Sequence, residues 1–599
     1  MCGIFGIITE QEQTLGPILI DSGRRLAYRG YDSVGCATLT ADGTVDLRKG
    51  VGRIEEVSAK LDFAAMRGLR GITQLRWATF GAPSYANAQP HLDSDGDLVG
   101  AHNGNVVNNV QLRELFIREG LTVRGTNDGE TCVHAVERHF DRNGGDMLAA
   151  IRAAYADLEG DYAFVITHRD DHRLYAIKKG SGLVVGLGER QACVSSDLPS
   201  LLPLTRRIVR IYDGEMVVLS PGVVEIYSVH DGARIERDEE WYDGPIEVAE
   251  KGGYPHFMLK EIHEQPTVAR ELLHLLHSSP HADRFLDALT TTGDRPVYLV
   301  GCGTSYHACL LGAYLFNQLG GQPAVPVLGP QFIEQYGQSV GPEDTAVFVS
   351  QSGETKDVLN AVKVMRERRG RVLGVLNVLG STLMHHSNVY LPLACGYEIS
   401  VPATKTFVNQ AVLFLHLAYR LAGRNTAELD GLPDLLAHTL ETVDGPTRQV
   451  AAYLDSWDDM YYLGYGLTHP IALEGALKLK EITYAHCEGI FSSEFKHGPL
   501  SAVQDGYPVV FITAPGDEAM MINHINEVTT RGGRAVALAA EHEALRANVH
   551  DYLVVPDADR FLSPILATLP AQLVAYHMSV ARGIDPDFPR NLSKTLTVD

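Results

Sequence analysis

The chain has no apolar run of the roughly 18–20 residues that a membrane-spanning helix needs, so we expect no membrane segment. Its first residues carry no basic region and turn acidic at Glu10, which is not the pattern of a secretory signal peptide. Cysteine is scarce as well: the 599 residues include eight, scattered, with no CxxC pair and no zinc-ligand spacing. These absences argue against a disulfide-built secreted protein and predict a reducing, cytoplasmic location.

Positive charge is also in short supply. The chain has 51 lysines and arginines against 74 aspartates and glutamates, a formal net charge of −23. A surface of that sign repels a phosphate backbone, so we expect no nucleic-acid partner. A small anionic substrate is not excluded, because a single pocket can be positive on an acidic protein.

The order of local patterns divides the chain into domains. Residues 2–240 carry short alternating apolar runs separated by Gly, Asp and Asn turns, which predicts a strand-rich α+β domain. A polar, acidic stretch follows, and we expect a linker over 241–284. Beyond it, apolar strands, small-residue turns and helical patterns alternate, and they restart after a Leu- and Ala-rich stretch (408–454). This rhythm predicts two parallel-sheet α/β domains, 285–430 and 450–599.

The cysteine after the initiator methionine, Cys2, is a candidate nucleophile. Removal of the methionine would leave a free α-amine with a pKa of about 8 next to the thiol, and this amine can serve as its general base. A cysteine at position 2 could also be an incidental small residue, so the residues that follow decide between the two interpretations.

Five short motifs occur in order within the first 130 residues: CGIFGI (2–7), YRGYDS (28–33), RWATFG (76–81), AHNGN (101–105) and TNDGE (126–130). Together they resemble the glutaminase domain of the N-terminal-nucleophile (Ntn) amidotransferases, which has a sandwich fold and releases ammonia from glutamine. The resemblance implies that Asn103 and the backbone of Gly104 form an oxyanion hole, a role that suits two neutral donors. It also implies that Arg76 binds the carboxylate of glutamine and that Asp128 binds its ammonium group.

Two turns in the C-terminal half are suited to an anion. GCGTS (301–305) and SQSGET (350–355) each follow an apolar strand and open a helix, so each presents backbone N–H groups, hydroxyls and a helix N-terminus. In this order they resemble the sugar isomerase (SIS) domain, which binds phosphosugars. The resemblance implies that the phosphate and hydroxyls of the sugar are held by Thr304, Ser305, Ser350, Gln351, Ser352 and Thr355.

The segment IALEGALKLKEITY places Glu474, Lys478 and Glu481 at i, i+4 and i+7, which is one face of a helix. The apolar residues between them predict a largely buried helix, where charges need partners or a function. The motif EFKHGP (494–499) then adds His497. A carboxylate and a histidine can move a proton between adjacent sugar carbons and open a sugar ring.

These last two motifs and the terminal PRNLSKTLTVD closely resemble the glucosamine-6-phosphate synthase family, the glutamine:fructose-6-phosphate amidotransferases (isomerizing), and the match extends over nearly the whole chain. The resemblance implies a glutaminase domain followed by two SIS domains, a homodimer, no metal and no cofactor. It implies transfer of ammonia from L-glutamine to fructose 6-phosphate.

The same resemblance implies the roles of individual residues. Glu481 would be the isomerisation base, His497 the ring-opening group, and Lys594 the contact to the carbonyl of the open sugar. Trp77 would gate an ammonia channel, and Val401, Glu474 and Lys478 would help to bind the sugar.

Five positions differ from the usual pattern of that family: Phe80, Gln89, Pro402, Ala403 and Tyr465. Pro402 stiffens the loop VPATK (401–405), and Ala403 lacks a hydroxyl that would contact the sugar. These changes leave open a paralogue that aminates a related ketose phosphate. The second alternative is a sugar-phosphate sensor whose enzyme sites are inert, and the presence of Cys2, Glu481, His497 and Lys594 together argues against it.

Overall fold

The structure is a computed structural model, and it describes residues 2–243, 251–290 and 295–595. These residues fall into two compact units, residues 2–243 and residues 251–594. Among the described helices none is long and apolar enough to cross a membrane. All eight cysteines are free thiols.

The first unit contains fifteen strands and five α-helices. The strands are β1 (Gly3–Thr14), β2 (Ser33–Leu39), β3 (Val45–Val51), β4 (Arg67–Arg76), β5 (His91–Leu92), β6 (Leu98–Val106), β7 (Gly160–His168), β8 (Leu174–Lys179), β9 (Val184–Leu187), β10 (Gln191–Ser195), β11 (Arg207–Arg210), β12 (Glu215–Ser220), β13 (Val223–Ser228), β14 (Arg234–Ile235) and β15 (Glu240–Trp241). The helices are α1 (Gly16–Leu26), α2 (Ile54–Lys60), α3 (Asn109–Glu119), α4 (Asp128–Arg142) and α5 (Met147–Asp157).

Two antiparallel sheets form the centre of this unit, in the orders β15-β11-β9-β10-β1-β4-β2-β3 and β14-β13-β12-β8-β7-β6-β5. Strand β1 shows how they pack: Ile4 and Ile8 lie in the core between the sheets, whereas Phe5 and Ile7 face the core under α1 and α2. Helices α4 and α5 cover the outer face of the second sheet. The resulting α-β-β-α layering confirms the predicted Ntn sandwich.

The second unit contains two five-stranded parallel sheets. Their strands are β16 (Val297–Gly301), β17 (Ala324–Leu328), β18 (Thr345–Ser350), β19 (Arg371–Leu376), β20 (Val389–Pro392), β21 (Asp459–Gly464), β22 (His486–Phe491), β23 (Pro508–Ile512), β24 (Arg534–Ala540) and β25 (Asp551–Val555). The orders are β17-β16-β18-β19-β20 and β22-β21-β23-β24-β25, so the two sheets share one topology. This confirms the prediction of two SIS domains.

Helices cover both parallel sheets. They are α6 (Phe257–Ser278), α7 (Pro280–Thr290), α8 (Thr304–Leu315), α9 (Gly329–Tyr336), α10 (Lys356–Glu367), α11 (Thr382–His386), α12 (Lys405–Leu421), α13 (Leu432–Leu454), α14 (His469–Thr483), α15 (Glu518–Thr529), α16 (Glu543–Arg546) and α17 (Ser563–Ala581). One hydrophobic core joins the two halves of this unit, with α8 packed against α14 and α12 against α6. This packing brings residues from distant parts of the sequence to one place.

The predicted linker over 241–284 is wrong from residue 257 onward. Helix α6 buries Met258, Ile262 and Leu272 completely in the core of the second unit. The acidic residues before α6 led to the misassignment. The apolar residues of α6 itself recur at helical spacing, which is the pattern of a helix that packs on a core. Residues 244–250 of the predicted linker lie outside the described residues, as do 291–294 and 596–599 of the predicted C-terminal domains.

Candidate active site

Cys2 lies directly before β1 and is buried. Gly3 pairs with Leu75 of β4, and this register brings Cys2 beside Trp77. The Trp77 backbone N–H donates to Cys2 Sγ at 3.4 Å, and the Cys2 thiol lies 3.5 Å from the Trp77 carbonyl. Burial raises the pKa of the Cys2 thiol, and the Trp77 N–H offsets part of this effect. The thiol therefore needs a base to become a nucleophile.

Strand β6 carries the two residues predicted for an oxyanion hole. Asn103 is 1% exposed, and within the described chain neither its amide nitrogen nor its amide oxygen has a hydrogen-bond partner. Gly104 has a φ of +113°, and a Cβ there would lie 2.1 Å from the Asp161 carbonyl oxygen. Since an unsatisfied buried amide costs stability, the free Asn103 amide indicates a site for a ligand.

The Arg76 guanidinium is completely buried, and its Nη2 donates to the carbonyls of Phe80 and Gly81. Its Nε and Nη1 have no hydrogen-bond partner among the described residues. A buried guanidinium with two free nitrogens is strongly destabilising unless an anion binds it. A bidentate carboxylate fits that requirement.

Asp128 is the first residue of α4, behind the N-cap Asn127, whose side chain accepts from the Gly129 N–H at 2.9 Å. The Asp128 carboxylate is buried and accepts from the Val106 N–H at 3.1 Å and from the Asn127 amide at 3.2 Å. Its position is therefore fixed by the strand that carries Asn103 and Gly104. An acidic group held this way can take an ammonium group.

Both positions of this unit that differ from the expected pattern have a structural role. Phe80 offers its backbone carbonyl to Arg76, which does not depend on the side chain. Gln89 accepts from the His102 N–H at 2.7 Å and donates to the His102 carbonyl at 3.1 Å. Gln89 thus holds the strand residue next to Asn103.

In the second unit, the turns 301–305 and 350–355 follow the neighbouring strands β16 and β18 and lead into α8 and α10. The carboxyl ends of adjacent parallel strands, where the order reverses, are the usual ligand site of such sheets. The hydroxyls of Ser350 and Thr355 lie 2.8 Å apart, and the Gly353 N–H donates to Ser350 Oγ at 3.0 Å. Ser352 Oγ accepts from the Glu354 N–H at 3.1 Å. The turn is a compact cup of hydroxyls and backbone N–H groups.

The remaining residues predicted at these turns tie them to the rest of the unit. Thr304 donates to Glu474 Oε1 at 3.1 Å, and Ser305 Oγ accepts from the Gln410 amide at 3.0 Å. The Gln351 carbonyl accepts from the Asn377 N–H at 3.0 Å. Thr304 is therefore the link between the first turn and α14.

The corresponding turn of the second parallel sheet, 513–518, follows β23. Here the Gly516 N–H donates at 2.9 Å to the carboxylate of Glu518, which begins α15. In the first sheet the residue that begins the corresponding helix α10 is Lys356, not a carboxylate. A carboxylate from the chain itself thus binds a turn N–H group in the second sheet.

Helix α14 presents Glu474, Lys478 and Glu481 as one chain of charges. The fully buried Lys478 Nζ lies 3.4 Å from Glu474 and 2.6 Å from Glu481, whose side chain is 19% exposed. His307 of α8 contacts the other oxygen of Glu474 at 2.8 Å. Burial lowers the pKa of Lys478, but Glu474 and Glu481 outweigh it and the net shift is upward. Lys478 is therefore a fixed cation that orients Glu481.

Lys594 is buried near the C-terminus, and its Nζ donates to the fully buried Glu398 carboxylate. Glu398 also accepts from the Thr404 N–H at 2.8 Å and from the Thr406 hydroxyl at 2.7 Å. Burial raises the pKa of Glu398. Lys594 and these hydrogen bonds lower that pKa by more, so it lies below the ordinary value for a glutamate. Glu398 also contributes to the raised pKa of Lys478. The two ion groups are thus electrostatically linked.

The altered loop 401–405 follows Glu398 closely in the chain, and its Thr404 N–H donates to the Glu398 carboxylate. Val401 is buried and its N–H donates to the Asp587 carbonyl at 2.8 Å. The Pro402 carbonyl accepts a hydrogen bond from the Ser400 hydroxyl at 2.9 Å, and Ala403 is partly buried. Tyr465, the fifth unusual residue, packs against Phe491 with ring centroids 5.1 Å apart.

His497 forms no hydrogen bond or ion pair with Glu481 or Lys594 in the part of the chain that the structure describes. It ends the short 3₁₀ segment Ser492–His497 and is exposed. Its predicted role stays a prediction.

Three residues of the site were not predicted from the sequence. Glu398 holds Lys594, His307 holds Glu474, and the Arg29 guanidinium donates to the Cys2 carbonyl at 3.3 Å. Arg29 lies in the motif 28–33, and His307 lies two residues after the motif 301–305. Their positions could therefore have identified them as site residues. Glu398 had none, because its partner is 196 residues away.

Comparisons with known proteins agree with this arrangement. The family model of the SIS domain matches residues 293–420 and 453–582, and a glutamine amidotransferase domain model matches 76–203. A solved C-terminal domain of glucosamine-fructose-6-phosphate aminotransferase from Francisella tularensis is 30% identical, with a TM-score of 0.52, and covers 57% of this chain and 100% of its own. A tagatose-6-phosphate ketose/aldose isomerase from Escherichia coli, at 20% identity, TM-score 0.51 and coverage of 58% and 98%, shares the fold.

Relatives also match over the full length. The glutamine–fructose-6-phosphate aminotransferase (isomerizing) of Methanothermobacter thermautotrophicus is 39% identical over 605 residues, and that of Thermococcus kodakarensis is 37% identical over 612. Both alignments cover 100% of this chain and 100% of the relative. Domains of glutamine amidotransferase and sugar isomerase type imply glutamine and a sugar phosphate as substrates. The chain belongs to the glutamine–fructose-6-phosphate aminotransferase (isomerizing) family.

Proposed function

We propose that this chain hydrolyses glutamine at Cys2 and transfers the ammonia to fructose 6-phosphate with isomerisation, giving glutamate and glucosamine 6-phosphate. One observation carries the proposal: within the described residues the first unit holds a buried thiol, a buried amide without a hydrogen-bond partner and a guanidinium with two unpartnered nitrogens, and the second unit holds a lysine paired with two carboxylates on α14. The first group suits hydrolysis of a zwitterionic amide, and the second suits proton transfer on a sugar.

In the glutaminase reaction, Cys2 Sγ attacks the side-chain amide carbon of glutamine. Its proton passes to the α-amine that removal of Met1 exposes, and from there to the departing ammonia. Asn103 and the Gly104 N–H stabilise the oxyanion of the tetrahedral intermediate, while Arg76 and Asp128 hold the carboxylate and ammonium of the substrate. Water then attacks the thioester, and glutamate and the free thiol are restored.

In the sugar reaction, ammonia adds to C2 of the open-chain ketose and water leaves, which gives an imine. Glu481 takes a proton from C1 and returns it to C2, so the carbonyl character moves to C1 and the amine remains on C2. Lys478 orients Glu481, and Lys594 contacts the carbonyl region of the open chain. Ser350, Ser352 and Thr355 bind the phosphate, and Thr304, Ser305, Gln351, Val401 and Glu474 line the sugar.

Three further parts of the proposal rest mainly on the family: we assign ring opening to His497, a gate for ammonia to Trp77, and a homodimeric state. The net charge of −23 supports the absence of a nucleic-acid partner. Trp77 is supported by its hydrogen bond to the Cys2 thiol. The eight free cysteines support a cytoplasmic location.

A product-identified assay tests the function. The full-length chain is incubated with glutamine and fructose 6-phosphate, and glutamate and the amino sugar phosphate are quantified together. We expect equal amounts of the two products. A panel of other ketose phosphates runs in parallel, since a higher kcat/KM for one of them would identify a paralogue. If neither glutamate nor an amino sugar phosphate forms with any of the acceptors, the result would favour a sugar-phosphate sensor.

Replacing Arg76 with lysine should raise the KM for glutamine. The variant keeps one charge but loses the planar pair of donors, and hydrogen bonds to a charged group are worth about 1.5–3 kcal/mol. This corresponds to about 10- to 150-fold in KM. Arg118→Lys, an exposed residue of the same unit, is the matched control. An unchanged glutamine KM in Arg76→Lys would show that another group binds the carboxylate.

Replacing Thr355 with valine should weaken the binding of the phosphorylated acceptor by a few-fold to about tenfold, because one hydrogen bond of about 0.5–1.5 kcal/mol is lost. Binding of unphosphorylated fructose, which is much weaker, should not change. Isothermal calorimetry with both sugars gives the two affinities, and Thr442→Val, on the exposed side of α13, serves as the control. Equal losses for both sugars would mean that the turn does not bind phosphate.

A further inference from the structure

Helix α6 carries a buried carboxyl group that the proposed mechanism does not use. Glu261 is 2% exposed. Its Oε1 accepts from the backbone N–H groups of Ile399 and Ser400, the latter at 3.2 Å, and its Oε2 contacts the Ser400 hydroxyl. All three contacts fall on the segment 398–401, between β20 and α12, which carries Glu398 and Val401. Glu261 therefore fixes the backbone that presents Glu398 to Lys594.

The hydrogen bonds of Ser400 indicate the protonation state of Glu261. Ser400 Oγ lies 2.9 Å from the Pro402 carbonyl oxygen as well as in contact with Glu261 Oε2. A carbonyl can only accept, and a hydroxyl has one proton to give. Two separate two-centre hydrogen bonds form here when Ser400 donates to Pro402 and accepts from Glu261. Glu261 then carries a proton on Oε2, while Oε1 accepts from the two N–H groups.

Burial and the nearby Glu398 favour the same state, whereas Lys594 and Lys405 act against it with a smaller combined effect on the pKa of Glu261. Glu398 lies on the same segment, Lys594 on the C-terminal segment, Lys405 on α12, and Glu264 one turn along α6. Lys594 pairs with Glu398, and Lys405 pairs with Glu264 at 2.8 Å. Each lysine thus forms its ion pair with a carboxylate other than Glu261. Burial, and then the nearby Glu398, raise the pKa of Glu261 to about 8.

We propose that Glu261 is a positioning residue that works as a neutral acid: it holds the segment 398–401 so that Glu398 can orient Lys594 for the sugar. Ionisation of Glu261 breaks the donation to Ser400 and adds a second anion that competes with Glu398 for Lys594. Activity in the sugar site then falls at alkaline pH. The inference rests on the proposed role of Lys594 in that site.

Glu261→Gln tests the proposal directly, because glutamine reproduces the neutral acid. Its amide oxygen accepts from the two N–H groups and its NH₂ group donates to Ser400. We expect kcat and acceptor KM at neutral pH to stay within about twofold of the parent, since no hydrogen bond is lost. The alkaline fall of the parent should disappear or move to higher pH. Glu261→Ala, which removes all three contacts, should reduce kcat about tenfold or more at every pH.

The activity is measured as exchange of solvent deuterium into fructose 6-phosphate without glutamine, so that titrating groups of the glutaminase site do not contribute. Glu271→Gln, on an exposed position of the same helix, is the matched control and should keep the parent profile. A Glu261→Gln variant as impaired as Glu261→Ala would overturn the proposal, since a carboxylate would then be required. An unchanged alkaline limb would also overturn it.

Unfolding gives a readout that does not depend on catalysis. The unfolded chain releases the Glu261 proton at about 4.3, the ordinary value for glutamate, whereas the folded chain keeps it to higher pH. The group therefore makes the parent lose stability as pH rises between these values. Glu261→Gln should remove that part of the slope of Tm against pH. If the parent exchanges no deuterium into the sugar, the proposed function fails. If Glu261→Gln leaves the slope of Tm against pH unchanged, Glu261 is not protonated in the folded chain, whatever the result of the exchange experiment.

Discussion

Cys2→Ala is expected to lower glutamine hydrolysis by several orders of magnitude and to leave sugar-phosphate isomerisation in place. Loss of a catalytic nucleophile removes the covalent route itself, which costs more than loss of a binding contact. The sugar site lies in the second unit and contains none of the residues around Cys2. The measurements are glutamate release and deuterium exchange into fructose 6-phosphate, both on the same preparation.

Cys193→Ala is the matched control for that experiment, because it removes another buried thiol from the same unit. It should keep both activities. Isomerase loss in a folded Cys2→Ala protein would contradict independent sites. Mass spectrometry adds a second check, since an active enzyme that retains Met1 would rule out the α-amine of Cys2 as the base.

Glu481→Gln is expected to reduce proton transfer between C1 and C2 by about 10²- to 10⁴-fold, the usual contribution of a general base. The amide keeps the shape of the side chain but cannot take up a proton at neutral pH. Lys478 loses a charged partner at 2.6 Å but keeps Glu474 at 3.4 Å, so α14 should remain folded. Glutamine hydrolysis should change little.

Solvent deuterium exchange into the sugar measures the loss directly. Glu488→Gln, a partly exposed position on β22, is the control and should exchange at the parent rate. Exchange at the parent rate in Glu481→Gln would show that another group is the base. A folded variant that loses both activities would instead indicate that the two sites are coupled.

The sequence predicted those features that depend on short spacing. Helical periodicity placed Glu474, Lys478 and Glu481 on one face, and the structure pairs them on α14. Alternation and small-residue turns predicted a strand-rich α+β domain and both parallel sheets, whereas the sandwich fold was implied by the family resemblance. Such patterns can be recognised because their residues are neighbours in one element.

Other features were beyond sequence reasoning because they depend on tertiary packing. Glu261 meets Ser400 and Glu398 meets Lys594 across 139 and 196 residues. No local pattern in a single sequence marks such pairs. Helix α6 was missed because the acidic stretch before it led to a predicted linker that extended too far toward the C-terminus. His497 shows the converse, since a motif identified it but no hydrogen bond or ion pair among the described residues joins it to Glu481.

The identical strand order of the two parallel sheets is the pattern that an internal duplication produces. Under the proposed function the two copies now have different roles. The first keeps a hydroxyl-lined cup, whereas in the second the Glu518 carboxylate already binds the Gly516 N–H and would repel a phosphate. The second copy contributes α14, whose Glu474 binds Thr304 of the first copy. Under the proposed function, in which the first turn binds the phosphate, natural selection should act more strictly on 350–355 than on 513–518.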